Sequence, residues 1–121
     1  MHSRTTRQVL ADHVRRRAEG DLDGDLMANY HPDVAILWSD GVLHGHDGVR
    51  ELARIQSRYH DDGSFHCQRL LTADEMAVLE WSGLGGRTDT LTLEATETFV
   101  VRDGLIIGQA VHYSGAFLTA A

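Results

Sequence analysis

The stretch "TLTLEATETFVV", residues 90–101, constrains the fold more than any other part of the chain. Leu91, Leu93, Ala95, Phe99 and Val101 fall on one face of an extended chain, and Thr90, Thr92, Glu94, Thr96, Thr98 and Val100 on the other. Successive side chains of a strand point to opposite faces, so this period of two predicts a half-buried β-strand. One residue breaks the pattern: Glu97 shares the apolar face, between Ala95 and Phe99. A buried carboxylate is costly unless it is hydrogen-bonded, paired or protonated. Glu97 is therefore either a functional group in a cavity, a member of a structural polar network, or a residue at a sheet edge or subunit interface.

Runs at 64–73, 75–84, 88–101 and 105–114 predict three or four strands, with "GLGGRTD" and "VRDGL" as hairpin connections between the later ones. The first half of the chain has a helical period instead. Residues 4–19 read as a helix that Ser3, Thr5 or Thr6 could cap, with Val9, Leu10, His13, Val14 and Arg17 on one stripe and Gly20 to end it. Asp21 caps a shorter helix with Leu22, Leu26 and Tyr30 spaced by four, and Pro32 closes it. "VAILWSD" (34–40) is a short strand with Val34, Ile36 and Trp38 on one face, and "GVLHG" gives its return. Asp47 then caps a third helix to about residue 60, with Val49, Leu52, Ala53, Ile55, Gln56 and Tyr59 near its inner stripe. Helices first and strands later predict an α+β layer: a cone-shaped, curved, mostly antiparallel sheet with three N-terminal helices on one face. Its 121 residues are expected to form one domain, 1–121. A pocket between sheet and helices is the expected ligand site.

The bulk numbers remove several functions. A net charge of −7 argues against a nucleic-acid surface, which needs excess Lys and Arg along a phosphate track. The one basic cluster, Arg15 to Arg17, reads as a solvated helix end. No apolar run approaches the roughly 20 residues that cross a bilayer, and the charged N-terminus lacks the apolar centre of a signal peptide, so no membrane partner and a cytoplasmic location are expected. The single Cys67 excludes an internal disulfide and a thiolate zinc cluster. No glycine-rich phosphate loop follows a strand, so no cofactor is expected. Bulky residues on both strand faces (Val78 and Leu79, Val100 and Val101, Ile106 and Ile107) predict a homodimer through the outer sheet face.

"EGDLDGDLMANYHPDVAILWSDGVLHGHDGVRELA" resembles the signature half of the nuclear transport factor 2-like superfamily, whose members include SnoaL-like polyketide cyclases, ketosteroid isomerases and limonene epoxide hydrolases. The resemblance lies in Gly20-Asp21-Leu22, in Tyr30 to Asp33 and in Gly45 to Val49; "FVVRDGLIIGQAVHYS" is similar to the closing hairpin of small bacterial members. It implies the fold just described and a pocket that hosts acid–base chemistry. The tyrosine that ketosteroid isomerases keep on the first helix corresponds to His13, and their base aspartate on the first strand to Trp38. Their second acid falls on Glu97 if the "VRDG" turn is one residue shorter than theirs, otherwise on Thr96; the alternation favours Glu97. The aspartate that SnoaL-like cyclases keep on the last strand corresponds to Val111. Neither catalytic set is complete, so neither usual reaction is expected.

Strand parity then assembles a candidate site. Ile107, Gln109, Val111 and Tyr113 would share a face of the last strand, and Ala77, Leu79 and Trp81 a face of the second long one. Glu97, Tyr113 and His13 are the candidate catalytic residues. Trp38, Trp81, Gln109, Leu79, Val111, Phe99 and Tyr59 are the candidate ligand-binding ones, for a small hydrophobic or carbonyl-bearing molecule. Desolvation would raise the Glu97 pKa and make it the main acid–base group; Glu97→Gln is then expected to leave stability equal or higher. His44, His46, His60, Asp61, Asp62 and His66 lack a recognised ligand spacing, and no metal is expected. Three functions stay open: a cofactor-independent acid–base enzyme, a non-catalytic ligand-binding module, and a dimeric assembly domain.

Overall fold

The structure, a computed structural model, describes residues 3–58, 65–84 and 92–115. Helix α1 (Thr6–Ala18) starts on Thr5, whose hydroxyl accepts from the Gln8 amide at 3.1 Å while the Thr5 amide donates to Gln8 Oε1 at 2.8 Å. This reciprocal box selects Thr5 from the three candidate caps. Arg15, Arg16 and Arg17 occupy the last turn, where the helix dipole favours cations. Helix α2 (Leu22–Asn29) is capped by Asp21, which accepts from the Gly24 amide at 3.0 Å. A Cβ on Gly24 would lie 2.1 Å from Asp21 Oδ2 and 2.4 Å from Arg16 Nη1, so a side chain there would push both from their present places.

Strand β1 (Tyr30–Trp38) begins four residues earlier than the pattern predicts and includes Pro32. Its pairing explains why. Tyr30 is opposite Ile106, but Ala35 is opposite Gly108, so the residues between them bulge out of the ladder. Proline is tolerated where no ladder bond is needed, and the Asp33 amide is satisfied by donating to His31 Nδ1 at 2.9 Å. Tyr30 therefore opens a strand instead of closing the α2 stripe. Strand β2 (Gly41–His44) runs straight into α3 (Gly45–Gln56). The N-cap is His44, with no side-chain cap bond, and not Asp47; the extended strand leads directly into the helix and leaves Asp47 inside the first turn. The helix ends at Gln56, short of residue 60, and Tyr59 lies outside the described residues.

Strands β3 (His66–Ala73), β4 (Met76–Leu84), β5 (Thr92–Arg102) and β6 (Leu105–Gly115) complete a six-strand sheet in the order β2-β1-β6-β5-β4-β3, antiparallel except for β1 with β6. It is curved and unclosed, as expected for this α+β class. The β5–β6 turn uses Asp103 (φ 52°) and Gly104 (φ 77°), two left-handed residues of the kind a tight hairpin needs. A second bulge follows: Val100 is opposite Gly108 and Val101 opposite Ile106, leaving Ile107 extra. It reverses the expected parity at this point, so Ile106 is buried and Ile107 only half-buried.

The core lies on the sheet's inner face. Val9 and Leu10 of α1, Leu26 of α2 and Val49 and Leu52 of α3 pack on Val34, Ile36, Ala77, Leu79, Trp81, Ala95, Phe99 and Val111. The outer face exposes Leu37, Val42, Leu71 and Met76.

Candidate functional site

Glu97 points inward, 4 % exposed, while Thr96 is exposed and Thr98 half-buried. Its register partners are Leu79 on β4 and Val111 on β6, both core residues. Two donors reach the carboxylate. Trp81 Nε1 donates to Oε2 at 2.5 Å, and Gln109 Nε2 donates to Oε1 in a short bond. An ionised carboxylate only accepts, so Gln109 must turn its NH₂ toward Glu97 and its carbonyl the other way. That carbonyl accepts from the Tyr30 hydroxyl at 2.7 Å. The result is a buried, directional chain: Tyr30 to Gln109 to Glu97, closed by Trp81. Burial raises the Tyr30 pKa well above its ordinary value, and the charges of Asp25 and Glu97 push it the same way.

A second buried group faces this chain. His13 lies on the α1 stripe and is 3 % exposed; Asp25 of α2 is wholly buried. Asp25 Oδ2 is 2.8 Å from His13 Nδ1. Asn29 donates from Nδ2 to Asp25 Oδ1 at 2.8 Å and to Asp12 Oδ2 at 2.9 Å, and accepts at Oδ1 from Arg4 Nη1 at 2.8 Å. The hydrogen bond from Arg16 is the largest cause holding the Asp12 carboxyl well below the usual range; burial opposes it. Asp25 is thus braced from behind by Asn29 and the Asp12–Arg16 pair. The His13 ring makes edge contacts with Tyr30 and Phe99, at centroid distances of 5.8 and 5.3 Å. Among the described residues its Nε2 has no hydrogen-bond partner.

His13, Asp25, Tyr30, Glu97 and Gln109 line one small cavity, closed over by Gln56, Arg17, Ala53 and Phe65. Its volume is about 10 Å³, near the lower limit for one water. Arg17, Ala53 and Phe65 also line an open cleft of about 290 Å³ with Gly20, Leu22, Arg50, Arg54 and Ser57. The two spaces are therefore adjacent compartments separated by side chains. Gln56 is buried at the boundary: it accepts from Arg17 Nη2 at 3.1 Å and donates to the Tyr113 hydroxyl at 3.0 Å.

The structure thus gathers His13, Glu97, Gln109 and Trp81 around one site, with Phe99 beneath His13. Leu79 and Val111 are core residues flanking Glu97, and Tyr113 reaches the site through Gln56. Trp38 does not line either compartment; it sits half-buried at the far end of β1, opposite Gly41. Asp25, Tyr30, Arg17 and Gln56 complete the arrangement, and none of the four is among the site residues that the sequence predicts. Of the candidate metal ligands, His46 Nε2 meets the Tyr30 carbonyl at 3.0 Å and His44 and His66 are exposed; no cluster of three or more His, Cys, Asp or Glu that could hold an ion occurs among the described residues.

A family model for a SnoaL-like domain matches residues 10–109. No curated protein matches the sequence. Solved structures share the fold at low identity. An NTF2-like protein of unknown function from Burkholderia xenovorans is 18 % identical, with 93 % of this chain and 84 % of that one covered and a TM-score of 0.72. TerC, co-crystallized with polyporic acid, is 17 % identical over 90 % of this chain and 91 % of its own, with a TM-score of 0.68. A Mesorhizobium loti protein assigned as a SnoaL-like polyketide cyclase is 15 % identical over 91 % and 100 %, with a TM-score of 0.65. No described helix is long and apolar enough to cross a membrane.

Proposed function

The chain belongs to the SnoaL-like domain family, and from that premise we propose that it is a cofactor-independent acid–base enzyme acting on a small, carbonyl-bearing hydrophobic molecule. The observation that carries the reading is the buried His13–Asp25 pair at the wall of a small cavity that Tyr30, Glu97 and Gln109 also line. An imidazole that donates Nδ1–H to a buried carboxylate is held in one tautomer, with the Nε2 lone pair free to act. Nε2 would take a proton from the carbon next to a carbonyl. The Tyr30 hydroxyl, kept protonated by its raised pKa, would turn its one proton from the Gln109 carbonyl to the developing enolate oxygen. Glu97, expected from the sequence to be the main acid–base group, has a different part in this reading. Both its oxygens are taken by Trp81 and Gln109, so it orients Gln109 and, through it, Tyr30. Proton abstraction and return of this kind serve isomerisation, cyclisation or dehydration.

A ligand large enough to react must displace Phe65 or Gln56, because the inner compartment is about the size of one water. That same observation favours the second reading, a non-catalytic binding module in which the outer cleft alone is occupied. Soaking a crystal with β-tetralone separates them. The enzyme reading expects the ketone between His13 and Tyr30, its α carbon within about 3.5 Å of Nε2; a ketone confined to the outer cleft, or none at saturation, counts against it. We also propose a homodimer through the outer sheet face, supported by the exposed Leu37, Val42, Leu71 and Met76.

A further inference from the structure

We infer that the molecule bound here is a carboxylic acid whose carboxylate rests on Arg17 at the mouth while its uncharged, reactive end faces His13. The inference rests on the acid–base reading for the inner end alone; the mouth is argued independently. The chain is acidic overall, with a net charge of −7, yet the outer cleft is lined by three guanidinium groups, Arg17, Arg50 and Arg54, and by no carboxylate among the described residues. Two of the three are already paired. Arg50 meets Asp23 at 3.0 Å and Asp47 at 3.9 Å, and Arg54 meets Glu51. Arg17 is different: among the described residues it has no ion-pair partner, and its one hydrogen bond goes to the neutral Gln56 carbonyl.

A guanidinium carries five donors in a fixed fork that matches a carboxylate. Gln56 uses one of them and holds the group half-buried at the boundary between the two compartments. Gln56 is in turn anchored by Tyr113, so the fork has a fixed place. The walls beside it are apolar: Leu22, Ala53 and Phe65. A cleft of about 290 Å³ is at the lower edge of the roughly 300–1,000 Å³ typical of small-molecule sites. It suits one or two fused rings. Orientation follows from charge. Asp25 and Glu97 are buried in the inner compartment and repel a second anion, so the acid end stays outward on Arg17 and the neutral end goes in.

Isothermal titration with β-naphthoate and its neutral isostere β-naphthamide tests this. The wild-type protein is expected to bind the acid about tenfold more tightly than the amide. That preference disappears in Arg17→Gln and falls in Arg17→Lys, which keeps the charge but not the fork. Raising salt from about 0.05 to 0.5 M weakens the acid and leaves the amide unchanged, a readout that needs no variant. His13→Asn keeps the preference, so the anion site stands even if the acid–base reading fails. Equal affinities in the wild-type protein, an undiminished preference in a folded Arg17→Gln, or no binding of the acid up to about 10 mM overturns the proposal.

Discussion

His13 Nδ1 and Asp25 Oδ2 lie 2.8 Å apart, joining α1 to α2 inside the core. The pair is twelve residues apart in sequence, so the contact is made by helix packing and not by local spacing. It brings a titratable group and its orienting carboxylate to the wall of the only space that Glu97, Gln109 and Tyr30 share among the described compartments. The first consequence concerns stability. Asp25→Ala leaves the Asn29 amide and the His13 ring without their acceptor, and a loss of about 2–4 kcal/mol is expected in urea unfolding. Asp25→Asn keeps the size and one acceptor, and is expected to cost less than half of that. Equal stability of Asp25→Ala and the wild-type protein would mean that the pair does not hold the helices.

Glu97 makes a sharper prediction than its burial alone. Glu97→Gln places an NH₂ against one of two donors. Gln109 can turn over to offer its carbonyl, and the Tyr30 hydroxyl can then accept instead of donating. The chain rearranges, so the cost is expected to be about 1 kcal/mol, in place of the equal or higher stability that desolvation alone predicts. Glu97→Leu removes the acceptor that the Trp81 N–H and the Gln109 amide share and is expected to cost about 3 kcal/mol. A Glu97→Leu variant more stable than Glu97→Gln would contradict the chain as drawn.

Tyr30 sets the alkaline limit. Its folded-state pKa is raised, first by burial and then by Asp25 and Glu97, so the folded protein holds the phenol proton more tightly than the unfolded chain does. Stability from this group is full below about pH 10, the unfolded value, and falls as pH rises further. Tyr30→Phe is expected to be less stable at neutral pH, because Gln109 loses its donor, but to lose less stability between about pH 10 and 11. Parallel slopes for the two proteins over that window would refute the shift.

The outer face predicts association. Light scattering at micromolar concentration is expected to give a dimer, and Leu37→Lys or Val42→Lys, each at a residue 53 % exposed, to give a monomer with an unchanged melting temperature. A monomeric wild-type protein removes the claim.

What could be read beforehand follows from where each residue's neighbours come from. The alternation across 90–101 places Glu97 inward because a strand's parity is local, and the α1 stripe likewise turns His13 and Arg17 toward the sheet. Asp25 was not legible. In "GDLDGDL" three aspartates look like one cap and a solvated face, and only the packing of α1 over α2 buries the third. Tyr30 carried a misleading signal, since its spacing from Leu26 continues a helical period that the chain abandons at Asn29. Ile106 and Ile107 are identical side chains, so nothing in composition marks which one the bulge sends inward. Trp38 follows the right parity but lies too far along β1 to meet the cavity. That no described carboxylate lines the cleft around Arg17 depends on residues of three helices meeting, which no single stretch encodes.

In the acid–base reading His13, held by Asp25, is a working base in a cavity that a small ketone can enter. Deuterium exchange at the α carbon of β-tetralone, followed by NMR in buffered D₂O, measures that step itself. Exchange is expected to be faster with the wild-type protein than with buffer. About two to four orders of magnitude of that acceleration are expected to be lost in His13→Asn, and less in Asp25→Asn. Exchange equally fast with wild-type protein and folded His13→Asn, under conditions where both bind the ketone, would contradict it and leave a binding module in place of an enzyme.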